Sequence, residues 1–215
     1  MKGKIIHYKN NPYSSTFVIT KNHNNIGEIY VKGDILTKEA SIIGNCCSTV
    51  FGLRYKYAVF AGEAQYRRPY SVSFYQKEAG EIFYTQSKEN SPLNRYTYIK
   101  AILGNCEYRL YTLYLDDSKI THLLYKKENT REKARQIAMI EKNCTIYNNL
   151  HHYNLVVENE EAMVIASVFA SYLYVTNSFQ SRHFSNTGIT ELYYSKTTNP
   201  TLLKKYNSEF TFKYS

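Results

Sequence analysis

Short apolar or alternating runs, broken by turn residues, recur from the N-terminus to about residue 157. They are "KIIHY" (4–8), "TFVIT" (16–20), "IGEIYV" (26–31), "RYKYAVF" (54–60), "YSVSFY" (70–75) and "EIFYTQ" (81–86). "RYTYIKAIL" (95–103), "EYRLYTLYL" (107–115), "ITHLLYK" (120–126), "QIAMIEK" (136–142), "CTIYN" (144–148) and "YNLVVE" (153–158) complete the series. A period of two turns one side of each run inward and the other to solvent. Roughly twelve strands at a spacing of about 10 residues predict an antiparallel sandwich or barrel. "KNHNN", "KEAG" and "NNLHH" between runs read as hairpin connections. In "EYRLYTLYL", Tyr108, Leu110, Tyr111, Leu113, Tyr114 and Leu115 leave little polar face. "KKENTREKARQ" (126–136) reads as a short surface helix or a charged loop. "SIIGNC" (41–46) and "AILGNC" (101–106) both read as an apolar strand end entering a Gly-Asn turn, too short an echo for a repeat.

The pattern changes at "NEEAMVIASVFASYLYV", Asn159 to Val175. Asn159 suits a helix N-cap, and Glu160 and Glu161 complement the positive end of the helix dipole. On a helical wheel no face between Ala162 and Val175 carries a charge. A helix apolar all round is enclosed by protein or by lipid. A membrane span needs about 20 apolar residues, ~30 Å, whereas Ala162 to Val175 reaches about 21 Å. The segment is therefore expected to be an interior helix, about 160–175. Nearly every other element is a strand, so the expected fold is all-β: a closed antiparallel barrel of about twelve strands around one hydrophobic helix. Closure also removes exposed sheet edges.

About twelve strands followed by an apolar helix resembles the tubby C-terminal-like superfamily. That group includes the tubby domain, phospholipid scramblases, the plant LURP-one-related proteins and small bacterial members. The local resemblance lies in "ARQIAMIEKNCTIYNNLHHYNLVVENEEAMVIASVFASYLYV", Ala134 to Val175. Tyr153, Leu155 and Val157 supply its strand, and Glu160 and Glu161 the acids before its helix. It is a pattern of residue classes without a catalytic motif, and it implies the fold more than an activity. About forty residues follow the helix here, which departs from the pattern. Residues 1–177 are thus expected to form the barrel and 178–215 an extension packed on it. Within the extension "ITELYYS" and "EFTFKYS" are strand-like, and it would cover the mouth, add a hairpin or serve an oligomer contact.

Composition narrows the partners. Twenty-three Tyr and no Trp among 215 residues fit half-buried pleated surfaces. A net charge of +9 attracts phosphate-bearing partners, nucleic acid or anionic lipid headgroups. Cys46, Cys47, Cys106 and Cys144 lack CxxC spacing, and "MKGKIIHYKNN" has no apolar signal-peptide core. A cytoplasmic protein with reduced, mostly buried thiols is expected, peripheral at the membrane if it binds lipid.

The chain offers little catalytic chemistry. Cys144, His151 and His152 do not have structural-zinc spacing, and a strand would point the two histidines to opposite faces. P-loop, GxGxxG and HExxH motifs are missing, so no catalytic residue, metal or cofactor is proposed. The most suggestive region is "LRYKYAVFAGEAQYRRPYSVSFY", Leu53 to Tyr75. Arg54 and Lys56 alternate with Tyr55 and Tyr57, and Arg67 and Arg68 enter the next strand. Arg matches phosphate oxygens bidentately, so Arg54, Lys56, Arg67 and Arg68 form a candidate phosphate or lipid-headgroup face. Tubby domains bind phosphoinositides through basic residues, but no motif maps those positions onto this chain. The expected function is a non-enzymatic protein that binds anionic phospholipid or a protein partner through a basic barrel face. The alternatives are a nucleic-acid binder using basic, tyrosine-rich strands and a small enzyme with a pocket at the barrel mouth.

Overall fold

A computed structural model describes residues 1–11, 14–33, 40–56, 68–87, 95–115, 118–128, 132–147, 150–176, 189–191 and 199–214. Its first seven strands are β1 (Lys2–Asn11), β2 (Ser14–Lys21), β3 (Asn24–Gly33), β4 (Ala40–Cys46), β5 (Thr49–Tyr55), β6 (Tyr70–Phe74) and β7 (Lys77–Gln86). The others are β8 (Thr97–Leu103), β9 (Cys106–Leu113), β10 (Lys119–Lys127), β11 (Arg135–Asn143), β12 (Thr145–Tyr147), β13 (His152–Val157) and β14 (Ile189–Glu191). Helix α1 spans Glu160–Tyr174, α2 spans Pro200–Leu203 and α3 spans Ser208–Tyr214.

Twelve strands close an antiparallel barrel in the order β1-β13-β11-β10-β9-β8-β7-β6-β5-β4-β3-β2. Helix α1 packs within it against β4, β5, β11 and β13. Every side chain from Ala162 to Tyr174 is buried. Asn159 caps the helix, its Oδ1 accepting from the Ala162 N–H at 2.8 Å. Glu160 and Glu161 pair with Lys21 (3.2 Å) and Lys126 (2.8 Å) on the surrounding wall. The serine and threonine hydroxyls at the helix bond back to its own carbonyls. Ser167, Ser171 and Thr176 donate to the carbonyls of Met163, Ser167 and Tyr172 at 2.9, 2.8 and 2.7 Å. Such back-bonding lets polar residues occupy an apolar interior.

The strand inventory differs from the expected one at three places, one being β5, which spans Thr49–Tyr55 and meets the run expected at 54–60 only at Arg54 and Tyr55. Residues 40–46 form the barrel strand β4, whereas their echo with 101–106 suggested a strand end and a turn. Gly44 and Asn45 lie inside β4, while Gly104 and Asn105 do form the turn from β8 to β9. Conversely "CTIYN" supplies β12, which leaves the barrel and pairs with β14. "NNLHH" therefore does not close a hairpin between barrel neighbours. The segment 126–136 has strand at both ends, and its described remainder is irregular, not helical. "EFTFKYS" lies mostly in helix α3, not in a strand.

The two ends of the barrel differ. At the end where α1 begins, two-residue turns join neighbours: Asn22-His23, Cys47-Ser48, Tyr75-Gln76 and Gly104-Asn105. The turn from β6 to β7 is thus Tyr75-Gln76, and "KEAG" belongs to β7. In the first three turns both residues have positive φ, as type I′ hairpins require, yet none is glycine. Where a glycine is needed is Gly80, at the β6–β7 bulge: its φ is +151° and a Cβ would sit 1.8 Å from the Ile102 carbonyl oxygen. At the opposite end residues 34–39, 56–69 and 87–96 make longer connections, while residues 12–13 alone join β1 to β2; at the α1 end residues 128–134 join β10 to β11.

The C-terminal helices lie on the outer wall. Cross-strand neighbours Val156, Met139, Leu123 and Tyr111 form an apolar row on the outside of β13, β11, β10 and β9. Leu202 and Phe210 cover it, which explains why "EYRLYTLYL" has little polar face. The Tyr125 hydroxyl donates to the Lys205 carbonyl at 2.6 Å, and the Met1 amino group donates to the Tyr214 carbonyl at 2.7 Å. No helix among the described residues is long and apolar enough to cross a membrane.

Two variants test this architecture. Val168→Asp is expected to abolish folding, because an unpaired buried charge costs several kcal/mol against a total stability of ~5–15 kcal/mol. A folded Val168→Asp protein by circular dichroism would overturn the central-helix arrangement. Gln76→Gly is expected to raise the urea midpoint by an amount equivalent to about 1 kcal/mol, since left-handed backbone strains any other residue.

Candidate functional site

The three sequence-predicted cations that are described have different surroundings. Arg54 is exposed on the outer face of β5, as alternation predicts. Lys56, one period on, pairs with Glu78 at 3.2 Å and Glu81 at 3.9 Å. The Arg68 guanidinium donates to the Thr176 carbonyl just past α1, and the Arg68 carbonyl accepts from the Tyr172 hydroxyl at 2.8 Å. Helix α1 has no basic residue in its last turn, so Arg68 supplies the charge that complements its negative end. Arg67 lies outside the described residues.

A second cationic surface lies where the outer wall meets α3. A groove of about 510 Å³ is lined by Lys2, Lys4, His23, Glu141, Asn154 and Tyr206, among others. Lys2 and Lys4 share the exposed face of β1, and neither pairs with a described carboxylate. Register sets Lys4 beside Asn154, and Asn154 beside Glu141.

A cavity of about 570 Å³ opens at the mouth where α1 begins. Its walls include Cys47, Phe74, Tyr75, Tyr108, Val164 and Ile165, with Glu160 and Glu161 at the helix start. Both carboxylates already have lysine partners. Cys46 is the one fully buried thiol among the four; Cys47, Cys106 and Cys144 are half-buried, so the thiols are less enclosed than expected. Cys46 Sγ and Cys47 Sγ are 3.8 Å apart, and burial pushes the Cys46 thiol up to about 12, which leaves it protonated and unreactive.

The barrel interior at the long-loop end is polar. On β1, β2 and β13 the inward positions are His7, Ser15, His151 and Tyr153, and all four are buried. The His151 N–H donates to His7 Nδ1 at 3.1 Å, so neutral His7 carries its proton on Nε2. Tyr174 from α1 packs edge-on to both rings and shares a 2.7 Å hydrogen bond with Ser15. On β10 and β9, buried His122 bonds Thr112 at 3.0 Å. Across the lumen Tyr70 and Tyr84 pack on Tyr172.

Lys142 belongs to this interior layer. It follows Ala138 and Ile140 in phase on the inward face of β11 and is 6% exposed. Its Nζ lies 5.7 Å from the Tyr153 ring centre, and no described carboxylate pairs with it. Burial pushes its amine down to about 8. Burial, and then the nearby Lys142 charge, push His122 to about 3 and His151 to about 2. Among the described residues no three His, Cys, Asp or Glu side chains gather as a metal site. Sequence reasoning placed His151 near a turn and overlooked Lys142. The signal was the phase of "QIAMIEK", which puts Lys142 on the same side as Ala138 and Ile140.

No protein-family model matches this chain, and neither a curated protein nor a solved structure is significantly similar to it.

The interior groups give stability a pH dependence. Between pH 6.5 and about 3 the unfolded chain binds protons at His122 and His151 that the folded protein excludes, so stability falls as pH falls. Between about 8 and 10.5 the unfolded chain retains a Lys142 proton that the folded protein releases, so stability rises with pH. The urea midpoint of the wild type should therefore drop more steeply below pH 6.5 than that of His122→Leu/His151→Leu. Equal slopes would remove these histidines as its cause.

Proposed function

We propose that this is a binding protein whose ligand is the phosphate-bearing headgroup of an anionic lipid, engaged at the basic groove between β1 and α3. The observation that carries this reading is the pair Lys2 and Lys4, two exposed cations on one strand face that pair with no described carboxylate, at the rim of a formed groove. The earlier candidates are used differently: Lys56 is neutralised by two carboxylates and Arg68 is spent on the helix end. Arg54 remains a free exposed cation on the far strand β5. The excess of 27 Lys+Arg over 18 Asp+Glu adds a long-range field that attracts an anionic surface.

A closed barrel around one apolar helix supports the resemblance to the tubby C-terminal-like superfamily, and a lipid-facing role is what that resemblance implies. The nucleic-acid alternative draws less support, because among the described exposed tyrosines only Tyr206 lines the groove with Lys2 and Lys4, while Tyr8, Tyr30 and Tyr75 sit on separate elements. Tyr75 also donates its hydroxyl to the Ser48 carbonyl. Stacking successive bases needs neighbouring exposed rings beside cations.

The test is flotation with phosphatidylglycerol and with phosphatidylcholine vesicles. The protein should float with the first only, and less so as salt rises. At about 1 kcal/mol per lysine, Lys2→Ser/Lys4→Ser should weaken binding about thirtyfold. Equal affinity for neutral vesicles, or no binding at low salt, would sink the reading.

A further inference from the structure

The barrel contains a buried cation whose counter-charge is not built into the described protein. We propose that the polar interior around Lys142 is a binding site for a small oxyanion, a carboxylate or phosphate group held inside the long-loop end of the barrel. This site is separate from the surface groove and does not depend on it.

A lysine amine removed from water is unfavourable unless a negative charge or several acceptors replace the lost hydration. Elsewhere in this protein the partly shielded cations follow that rule. Lys126 pairs with Glu128 and Glu161, and Lys100 and Arg109 both pair with Glu107. Lys142 is more buried than any of them; it has the face of the Tyr153 ring, 5.7 Å away, and the Cys144 thiol nearby, but no described carboxylate.

The surroundings offer donors and no carboxylate. Lys142 stands between His122 on β10 and His151 on β13, close enough that its charge lowers the proton affinity of both. Beyond His151 lie His7, Ser15 and Tyr174 in a continuous chain of contacts. Imidazole N–H, hydroxyl and ammonium groups together can surround an oxyanion with charge-assisted hydrogen bonds.

The negative end of α1 is the other local source of opposite charge, and it is already engaged. The Ser171 and Tyr172 carbonyls accept from the Val175 N–H, and Arg68 donates to the Thr176 carbonyl. The site also lies at the barrel end that carries the connections 34–39, 56–69 and 87–96, whereas four of the connections at the opposite end are two-residue turns. Ligand sites concentrate where a rigid scaffold carries its long loops.

The experiment titrates the full chain with inorganic phosphate, acetate and chloride at constant ionic strength, reading the thermal midpoint. One oxyanion should raise the midpoint saturably, chloride should not, and the arm that responds identifies phosphate or carboxylate. In Lys142→Met the apparent affinity should fall about tenfold or more, the loss of one charged hydrogen bond. Lys2→Ser/Lys4→Ser should respond like the wild type, so failure of the lipid reading leaves this one standing. Protein labelled with ¹³C-lysine gives a readout that needs no variant: the Lys142 side chain should titrate at higher pH when the oxyanion is saturating. An unmoved Lys142 titration, or an equal midpoint rise in wild type and Lys142→Met, would overturn the proposal.

Discussion

The structure depends on one requirement: a fifteen-residue helix without a polar side must be surrounded on every face. A single sheet or a pair of helices would cover part of it. Twelve strands closed into a barrel cover all of it and leave no unpaired edge. The other contacts at the helix follow from that enclosure. Asn159 and two lysines secure its positive end at the mouth, Arg68 secures its negative end, and its serine hydroxyls bond back to its own carbonyls. Each polar group that enclosure removes from water there has been given a protein partner.

The barrel wall then has two differently used surfaces. The inner face supplies apolar packing around the first turns of α1 and a layer of His, Tyr, Ser, Thr and Lys around its last ones. On the outer face the Val156–Met139–Leu123–Tyr111 row is covered by Leu202 and Phe210. The abundance of tyrosine fits both settings. Tyr70, Tyr172 and Tyr174 bury their rings inside the barrel, while Tyr98, Tyr111 and Tyr125 pack against one another on the outer wall.

Charge placement separates structural cations from available ones. Lys21, Lys56, Lys100, Lys126 and Arg135 are bound by glutamates, and exposed pairs of this kind contribute about 0–1 kcal/mol each. Lys2 and Lys4 pair with no described carboxylate and line a groove, where a cation costs little because water still reaches it. Lys142 is buried and pairs with no described carboxylate, and that combination is unfavourable for a charged amine. A buried group that weakens the fold on its own account points to use beyond the fold.

The local sequence determined the elements that physical periodicity controls. The Asn159 cap, the two glutamates and the uncharged run through Val175 specified the helix to within a residue of its observed end. Alternation marked ten of the barrel strands, overlapped an eleventh, β5, only at Arg54 and Tyr55, and so pointed to the class of fold. It could not exclude "CTIYN" or include Ala40–Cys46, because strand partners are chosen by register with distant segments. It could not read "EFTFKYS" as a helix, since its apolar residues find their row only when four strands are side by side. The cation site shows the same division. Spacing made Arg54, Lys56, Arg67 and Arg68 neighbours in sequence, but tertiary structure decided that Glu78 and Glu81 neutralise Lys56 and that Arg68 turns to the helix end. The phase of β11 already pointed Lys142 inward, yet its isolation could be known only from what the barrel brings near it. Periodicity is local, and the partners of a charge are not.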